Sequence, residues 1–416
     1  MKKFNVPLIY RSRVITTIKN SRRTADKLKK DFTPSILDLG ALQIILARHF
    51  GFCYGVENAI EIAFRTIDEN PDKRIFLLSE MIHNPHVNED LKDRGVKFLM
   101  DTSGNELIPF STLNADDIVI IPAFGTTLQI SKRLKDVGVK LEAYNTTCPF
   151  VQKVWNRAEV IAKKNYTVII HGKPRHEETR ATFSNSEVNA PTIVVKDMAE
   201  AIELSKYISG EYLPEKFYEQ FGGQYSENFN VENDLERIGV VNQTTMLASD
   251  TQGISDFLKS VMIKKYGLDE KNVEDRFADT RDTLCYATNE NQDAVYSLLN
   301  TVADLALVIG GYNSSNTSHL VELCEEKLPT YFINSQDELL SINEIRHFDL
   351  HTKEMKVTLG YLPGKIPVKI MITSGASCPD ALVEDVIEKL IQFFPDASPL
   401  EEALQKLVGD YQEVKA

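Results

Sequence analysis

GFCYGVENAIEIAFRTI (51–67), TTCPFVQKVWNRAEVIA (146–162) and DTLCYATNENQDAVYSLLNTV (282–302) are three versions of one pattern. Each opens on a cysteine, at Cys53, Cys148 and Cys285, and each continues as an amphipathic helix. Apolar positions fall at Val56, Ala59, Ile60, Ala63 and Ile67, at Val151, Val154, Ala158, Ile161 and Ala162, and at Ala294, Val295, Leu298, Leu299 and Val302. That is the spacing of one helix face. A continuous apolar run follows each helix: IFLL from Ile75, TVII from Thr167 and LALVIG from Leu305. Runs without alternation predict strands buried on both faces of a parallel sheet. Each strand ends in a polar loop, MIHNPH around His83, KPRHEET around His176 and YNSSNTS around Ser314, which lie 30, 28 and 29 residues beyond their cysteines.

Outward from these stretches the repeat goes on. Each unit adds a short helix and a strand (KFLM, TIVV, TYFI), then a strand ending in a hydroxyl-rich turn: DIVIIPAFGTT (117–127), IGVVNQTT (238–245) and VKIMITSGAS (368–377). Beta-alpha alternation of this kind predicts parallel sheets with right-handed crossovers, and ligands in such sheets bind beyond the carboxyl ends of the strands. The expected fold class is therefore α/β in three pseudo-equivalent units. We divide the chain into an N-terminal extension (1–42), a first unit (43–147), a second (148–284, with an insertion at about 203–236), a third (285–390) and a C-terminal tail (391–416). LQIILA (42–47) is expected to complete the third unit, and 345–366 to form an inserted hairpin.

Composition sets bounds. The chain has 416 residues, 43% hydrophobic and 26% charged, which suits a soluble protein with more than one core. A net charge of −13 argues against nucleic acid as the main partner, and no apolar run approaches the roughly 18 residues that span a bilayer. The first 40 residues are locally basic (Arg11, Arg13, Lys19, Arg22, Arg23, Lys27, Lys29, Lys30) but carry Asp26, Asp31 and Asp38 among or just after them. They read as an ordinary extension and not as a targeting peptide. Five widely spaced cysteines fit a reducing cytoplasm, not a disulfide framework.

Three thiolates at equivalent places of a repeat, each at a helix start that favours the anion, point to shared metal ligation. Soft thiolates favour a [4Fe–4S] cluster, with three irons held and the fourth open, or zinc with a histidine. Cys324 lies inside an amphipathic helix and reads as core; Cys378 reads as a bystander. His83, His176, Ser314, Ser315 and Asn316, with the hydroxyl turns Thr244, Thr245, Ser374 and Ser377, suit an anion held by neutral donors and imidazoles. Glu178 can carry a proton to a leaving hydroxyl, and so can its neighbour Glu177, between which the residues alone do not choose.

GFCYGV, TTCP, HEET, NQTTM, DTLCYAT, NSSNTSHL and SGASCPD, in that order from about residue 43 to 390, resemble the LytB/IspH family, the 4-hydroxy-3-methylbut-2-enyl diphosphate reductases of the non-mevalonate isoprenoid pathway. The extension, the insertion and NQTTM are similar to its plant and cyanobacterial branch. The resemblance implies a trefoil of the three units around one [4Fe–4S] cluster with Cys53, Cys148 and Cys285 as ligands. It implies a diphosphate held by His83, His176, Ser314, Ser315, Asn316 and Ser377, and a proton relay of Glu178, rather than Glu177, with Thr244. It further implies an electron donor such as ferredoxin or flavodoxin, loss of the C4 hydroxyl as water, and isopentenyl and dimethylallyl diphosphate as products. One departure is Phe124, where enterobacterial-type members carry a histidine; one diphosphate contact is then either missing or supplied by another group such as Thr126 or Thr127. Two rival readings are an iron–sulfur hydro-lyase, which needs no external electrons, and a non-catalytic redox sensor, which needs neither Glu178 nor the phosphate loops.

Overall fold

The computed structural model describes residues 4–278 and 283–413. Asp282 of the third cysteine motif, and residues 1–3 and 414–416 of the extension and tail, lie outside the described residues.

Helix α1 (Arg13–Ala25) and strands β1 (Ser35–Asp38) and β2 (Leu42–Leu46) precede the first cysteine. The Cys53 stretch runs through α2 (Tyr54–Glu69), β3 (Ile75–Leu77), α3 (Pro85–Asp93), β4 (Lys97–Phe98), β5 (Ile118–Ile120) and α4 (Leu128–Asp136). The Cys148 stretch forms α5 (Pro149–Ala162), β6 (Thr167–His171), α6 (Glu177–Glu187), β7 (Thr192–Val195), α7 (Met198–Ser209), α8 (Glu215–Gln220), α9 (Val231–Asp234), β8 (Ile238–Asn242), α10 (Ala248–Tyr266) and β9 (Phe277–Ala278). The Cys285 stretch forms α11 (Tyr286–Leu298), β10 (Leu305–Ile309), α12 (Ser315–Glu325), β11 (Thr330–Ile333), β12 (Leu339–Ser341), β13 (Glu344–Asp349), β14 (Glu354–Leu359), β15 (Val368–Ser374), α13 (Asp380–Gln392) and α14 (Leu400–Glu413).

The strand after each cysteine-headed helix takes the middle of a sheet. β3 lies between β4 and β5, β6 between β7 and β8, and β10 between β11 and β15, all in parallel register. Every residue of β3, β6 and β10 is buried, which is why these strands read as unbroken apolar runs. One helix stops short of its expected face. α11 ends at Leu298, the N–H groups of Asn300 and Thr301 turn back to Ser297 and Leu298, and Val302 is exposed.

Packing gathers the chain into two compact units. One holds the residues up to Glu57, His83–Val87 and those from Tyr286 onward. Its sheet places β2 parallel to β15, from Leu42 beside Val368 to Leu46 beside Ile372, with β1 antiparallel on the outer edge. The strand before the first cysteine therefore sits in the third sheet, as its sequence position led us to expect. β13 and β14 form the antiparallel hairpin expected in the third stretch. α1 packs on α13 and α14: Val14, Ile15 and Ile18 are buried, Ser12 caps the helix through the Ile15 N–H, and Arg13 pairs with both oxygens of Glu401.

The other unit holds Asn58–Ile82 and Asn88–Cys285, with the sheets centred on β3 and β6. The 203–236 insertion builds α8 and α9 around Phe217, Phe221 and Phe229. The Phe217 ring stacks on Phe229 at 5.3 Å and on Phe221 at 5.1 Å, within a core that includes Ile193, Leu204 and Ile254. Three buried rings make the insertion part of the core of this unit, not a loose surface loop.

Candidate active site

In the compact unit that holds β10 and β15, the His83 and Ser314 loops meet at the ends of those strands. The backbone turns at Gly310 and Gly311 after β10, and a Cβ on Gly311 would collide with the His83 carbonyl oxygen. The absence of a side chain there is what lets the His83 loop come so close. Ser314 caps α12 by accepting from the Thr317 N–H at 3.3 Å, and the Thr317 hydroxyl donates to Ser314 Oγ at 2.9 Å. Ser377 Oγ donates to the His83 carbonyl at 3.1 Å and lies 3.5 Å from Ser314 Oγ. Asn316 Oδ1 accepts from the Ala376 N–H at 2.8 Å, and the Ala376 carbonyl in turn accepts from the Cys53 N–H at 3.2 Å. One short stretch of backbone thus ties the first cysteine to the third hydroxyl turn and the asparagine of the serine loop. Ser315 Oγ is 3.4 Å from His319 Nε2.

His83, Ser314, Ser315, Asn316 and Ser377 are all buried. The Nδ2 groups of Asn316 and of Asn84 are buried with no hydrogen-bond partner among the described residues. Orphaned buried donors are costly, on the order of 1–3 kcal/mol each. Asn84 stands at the start of α3 and Asn316 in the first turn of α12, and donors at helix N-termini suit an anion. Asn84 was not singled out from the sequence; standing next to His83 was its only signal.

In the second unit Glu177 and Glu178 part company. Glu178 is 1% exposed. Its Oε1 accepts from the Thr244 N–H at 2.5 Å and its Oε2 from the Thr244 hydroxyl at 2.9 Å. Glu177 instead accepts from the Ser79 hydroxyl. The Thr244 carbonyl accepts from the Cys285 N–H at 3.3 Å, so Thr244 joins the carboxylate to the third cysteine. The loop is held by Gln243, whose Oε1 accepts from the Lys173 N–H at 3.1 Å and the Thr179 hydroxyl at 3.0 Å. Gln243, missed at the sequence level although it stands in NQTTM, joins the histidine loop to the hydroxyl turn.

His176 caps α6, its Nδ1 accepting from the Glu178 N–H at 3.2 Å. The neutral ring with that acceptor carries its proton on Nε2, which is then a donor. The Phe124 ring stands edge-on to His176 at 5.7 Å. The position that departs from the enterobacterial pattern thus braces an imidazole. Thr127, considered as a substitute contact, caps α4 through the Ile130 N–H.

Cys53, Cys148 and Cys285 are each half-buried and each immediately precedes a helix, α2, α5 and α11. Burial pushes the Cys148 thiol up, against the N–H groups of Phe150 and Val151, which pull it down. Cys324 and Cys378 are fully buried, and burial raises both thiols to about 12. Cys324 is core, as the sequence placed it, and Cys378, read as a bystander, is buried as well. Among the described residues no three His, Cys, Asp or Glu side chains converge on a point where one metal ion would sit. A cubane cluster does not need that convergence, because its three ligand sulfurs bind three different irons. No helix is long and apolar enough to cross a membrane among the described residues.

Residues 44–391 match the family model described as LytB protein. A 4-hydroxy-3-methylbut-2-enyl diphosphate reductase of Trichodesmium erythraeum is 42% identical over 356 residues, 85% of this chain and 86% of its own. One from Picosynechococcus sp. is 44% identical over 356 residues, 85% of each chain. One from Prochlorococcus marinus subsp. pastoris is 41% identical over 384 residues, 92% of this chain and 90% of its own. Among solved structures, a diphosphate reductase from Plasmodium falciparum superposes with a TM-score of 0.60 at 22% identity, covering 86% of this chain and 90% of that one. A second, described as the terminal enzyme of the non-mevalonate pathway, gives 0.51 at 24%, covering 84% and 99%. These two share the fold, and the α/β class with parallel sheets expected from the sequence is the fold found.

Proposed function

The chain belongs to the LytB family, and from that premise we propose how its own residues carry the reaction of the relatives named above. It reduces 4-hydroxy-3-methylbut-2-enyl diphosphate to isopentenyl and dimethylallyl diphosphate, the last step of the non-mevalonate route to isoprenoids. The observation that carries the mechanism is the Glu178–Thr244–Cys285 connection, a buried carboxylate bound through one threonine to the loop of a cysteine.

The donor set fits an iron–sulfur cluster. Cys53, Cys148 and Cys285 are the half-buried cysteines, each at a helix start where backbone N–H groups favour sulfur as an anion, while Cys324 and Cys378 are sealed in apolar core. We assign those three as the ligands of one [4Fe–4S] cluster. When bound, the cluster supplies electrons one at a time and an open, Lewis-acidic iron.

The diphosphate takes its donors from Ser314, Ser315, Ser377, His83 and Asn316, whose Nδ2 is already buried and unpartnered among the described residues. Neutral donors and a helix N-terminus hold the anion without bringing cations into the site. The family resemblance adds His176 to the diphosphate donors; with its Nδ1 accepting from the Glu178 N–H, a neutral ring carries its proton on Nε2, and the Phe124 ring stands edge-on to it. Protonated Glu178 gives its proton to Thr244 Oγ1, which passes its own to the leaving hydroxyl. A hydroxyl accepts and donates at once, so the proton moves 2.9 Å without displacing a heavy atom. Glu177 is held aside by Ser79. The electrons come from a small redox protein such as a ferredoxin or flavodoxin.

Anaerobic turnover with reduced viologen, read by dye oxidation and by product analysis, tests this reading. Both five-carbon diphosphates are expected. Water loss with no dye oxidised would make the protein a hydro-lyase, and no turnover by protein carrying its irons would leave it a sensor.

A further inference from the structure

The basic stretch between Lys19 and Lys30 has no part in the chemistry above, yet it is packed beside Cys53. A cavity of about 190 Å³ within the first compact unit is lined by Lys19, Arg23, Lys29, Arg48, His49 and Cys53. Four cations gather there on a chain whose net charge is −13. Arg48 is 6% exposed, and its Nε and Nη2 have no hydrogen-bond partner among the described residues. Asn291, at the same cavity and 4% exposed, likewise has an unpartnered Nδ2. Glu290 does not answer Arg48: it lies 3.3 Å from Lys29 and 3.6 Å from His49. Lys19 is turned to the Phe50 carbonyl and Asp380. A buried guanidinium with two open donors is expensive unless a carboxylate or other oxyanion meets its fork. The cationic surface extends past the cavity to Arg23, Lys27 and Lys30, all exposed, which is broader than one small oxyanion needs.

We infer that this cavity is where the electron donor docks: a small, acidic, one-electron carrier protein seats a surface carboxylate against Arg48, and its other acids meet Arg23, Lys27, Lys29 and Lys30. The inference rests on Cys53 as a cluster ligand, because the carrier then arrives against the wall that holds the cluster. Each turnover takes two electrons and two protons. Two reduced carriers therefore dock in succession, each leaving oxidised by one electron, while the substrate loses its hydroxyl as water and gains one hydrogen. Complementary charge of this kind speeds encounter and weakens with salt.

The test uses the full-length, cluster-loaded protein and an acidic plant-type ferredoxin. Calorimetry measures the Kd of oxidised ferredoxin at low and high salt; turnover is measured with reduced ferredoxin and separately with reduced viologen. For R23E/K29E, which reverses one exposed and one half-buried charge at the cavity, Kd is expected to rise about tenfold or more at low salt, with the difference shrinking at high salt. The KM for ferredoxin rises with it and viologen turnover is unchanged. R48Q is expected to weaken ferredoxin binding in the same sense. An unchanged Kd in R23E/K29E, or no measurable binding of ferredoxin by the wild type, overturns the inference. So does phosphate binding that R48Q abolishes while ferredoxin binding stays intact, which would make the cavity a small-oxyanion site. If wild-type protein turns over with neither donor, the reductase reading fails, and the binding measurement still decides the docking surface.

Discussion

Replacing Glu178 with glutamine separates the carboxyl's structural work from its chemistry. Both carboxylate oxygens accept from Thr244, one from its N–H at 2.5 Å and one from its hydroxyl at 2.9 Å. Glutamine fills the same volume. Its carbonyl oxygen keeps the bond to the Thr244 N–H, and its NH2 faces Thr244 Oγ1, which rotates from donor to acceptor. What is lost is the charge assistance of two bonds, about 1–2 kcal/mol, too little to unfold the unit. The amide has no proton to give at neutral pH, so the general-acid contribution disappears entirely. That is a loss of roughly 100- to 10,000-fold in kcat. The assay is anaerobic turnover with reduced viologen, with iron content and circular dichroism as controls for cluster and fold. E178Q with wild-type iron content and more than about a tenth of wild-type kcat would refute the relay through Thr244. The neighbouring E177Q, whose partner is Ser79, is expected to keep turnover near wild type.

Three further outcomes follow from other parts of the molecule. N316A removes an amide whose Nδ2 is buried without a partner among the described residues; if that group binds the diphosphate as proposed, losing a hydrogen bond to a charged group, about 1.5–3 kcal/mol, raises KM about tenfold or more with kcat less affected, and an unchanged KM in steady-state kinetics would remove Asn316 from the diphosphate site. In protein stripped of iron, iodoacetamide at pH 8 is expected to label Cys53, Cys148 and Cys285 and spare Cys324 and Cys378, whose thiols burial holds at about 12; mass spectrometry of the peptides reads the result. F217A empties the ring stack of the insertion and is expected to cost about 3–5 kcal/mol in denaturant unfolding, whereas a negligible change would mean the insertion folds independently of the second unit's core.

The repeat was legible because it is written in periods. Helix faces recur every three or four residues, and β3, β6 and β10 are unbroken apolar runs because both of their faces are covered. Even the place of β2 in the third sheet could be read by counting strands per unit. What sequence could not decide was which of two adjacent glutamates meets Thr244. They stand side by side in the first turn of α6, and a loop 66 residues later selects between them. Asn84 and Gln243 were silent for a related reason: polar loop residues have no periodicity, and their partners come from tertiary contact. Phe124 read as a lost ligand contact, and its ring stands edge-on to His176, a contact the sequence did not show. The basic stretch read as an ordinary extension, because nothing in its own sequence shows that α1 lies on α13 and α14 or that Arg48 is buried.

The bond from the Cys53 N–H to the Ala376 carbonyl has a consequence for biosynthesis. A ribosome makes Cys53 early and Ala376 near the end, and β2 finds its parallel neighbour β15 just as late. Throughout most of translation the nascent chain therefore carries β2 with only β1 beside it, and a thiol whose N–H lacks its Ala376 partner. On the proposal that Cys53 is a cluster ligand, assembly of that centre waits until the polypeptide is almost complete, and a product terminated before Ala376 lacks the backbone partner of the first cysteine.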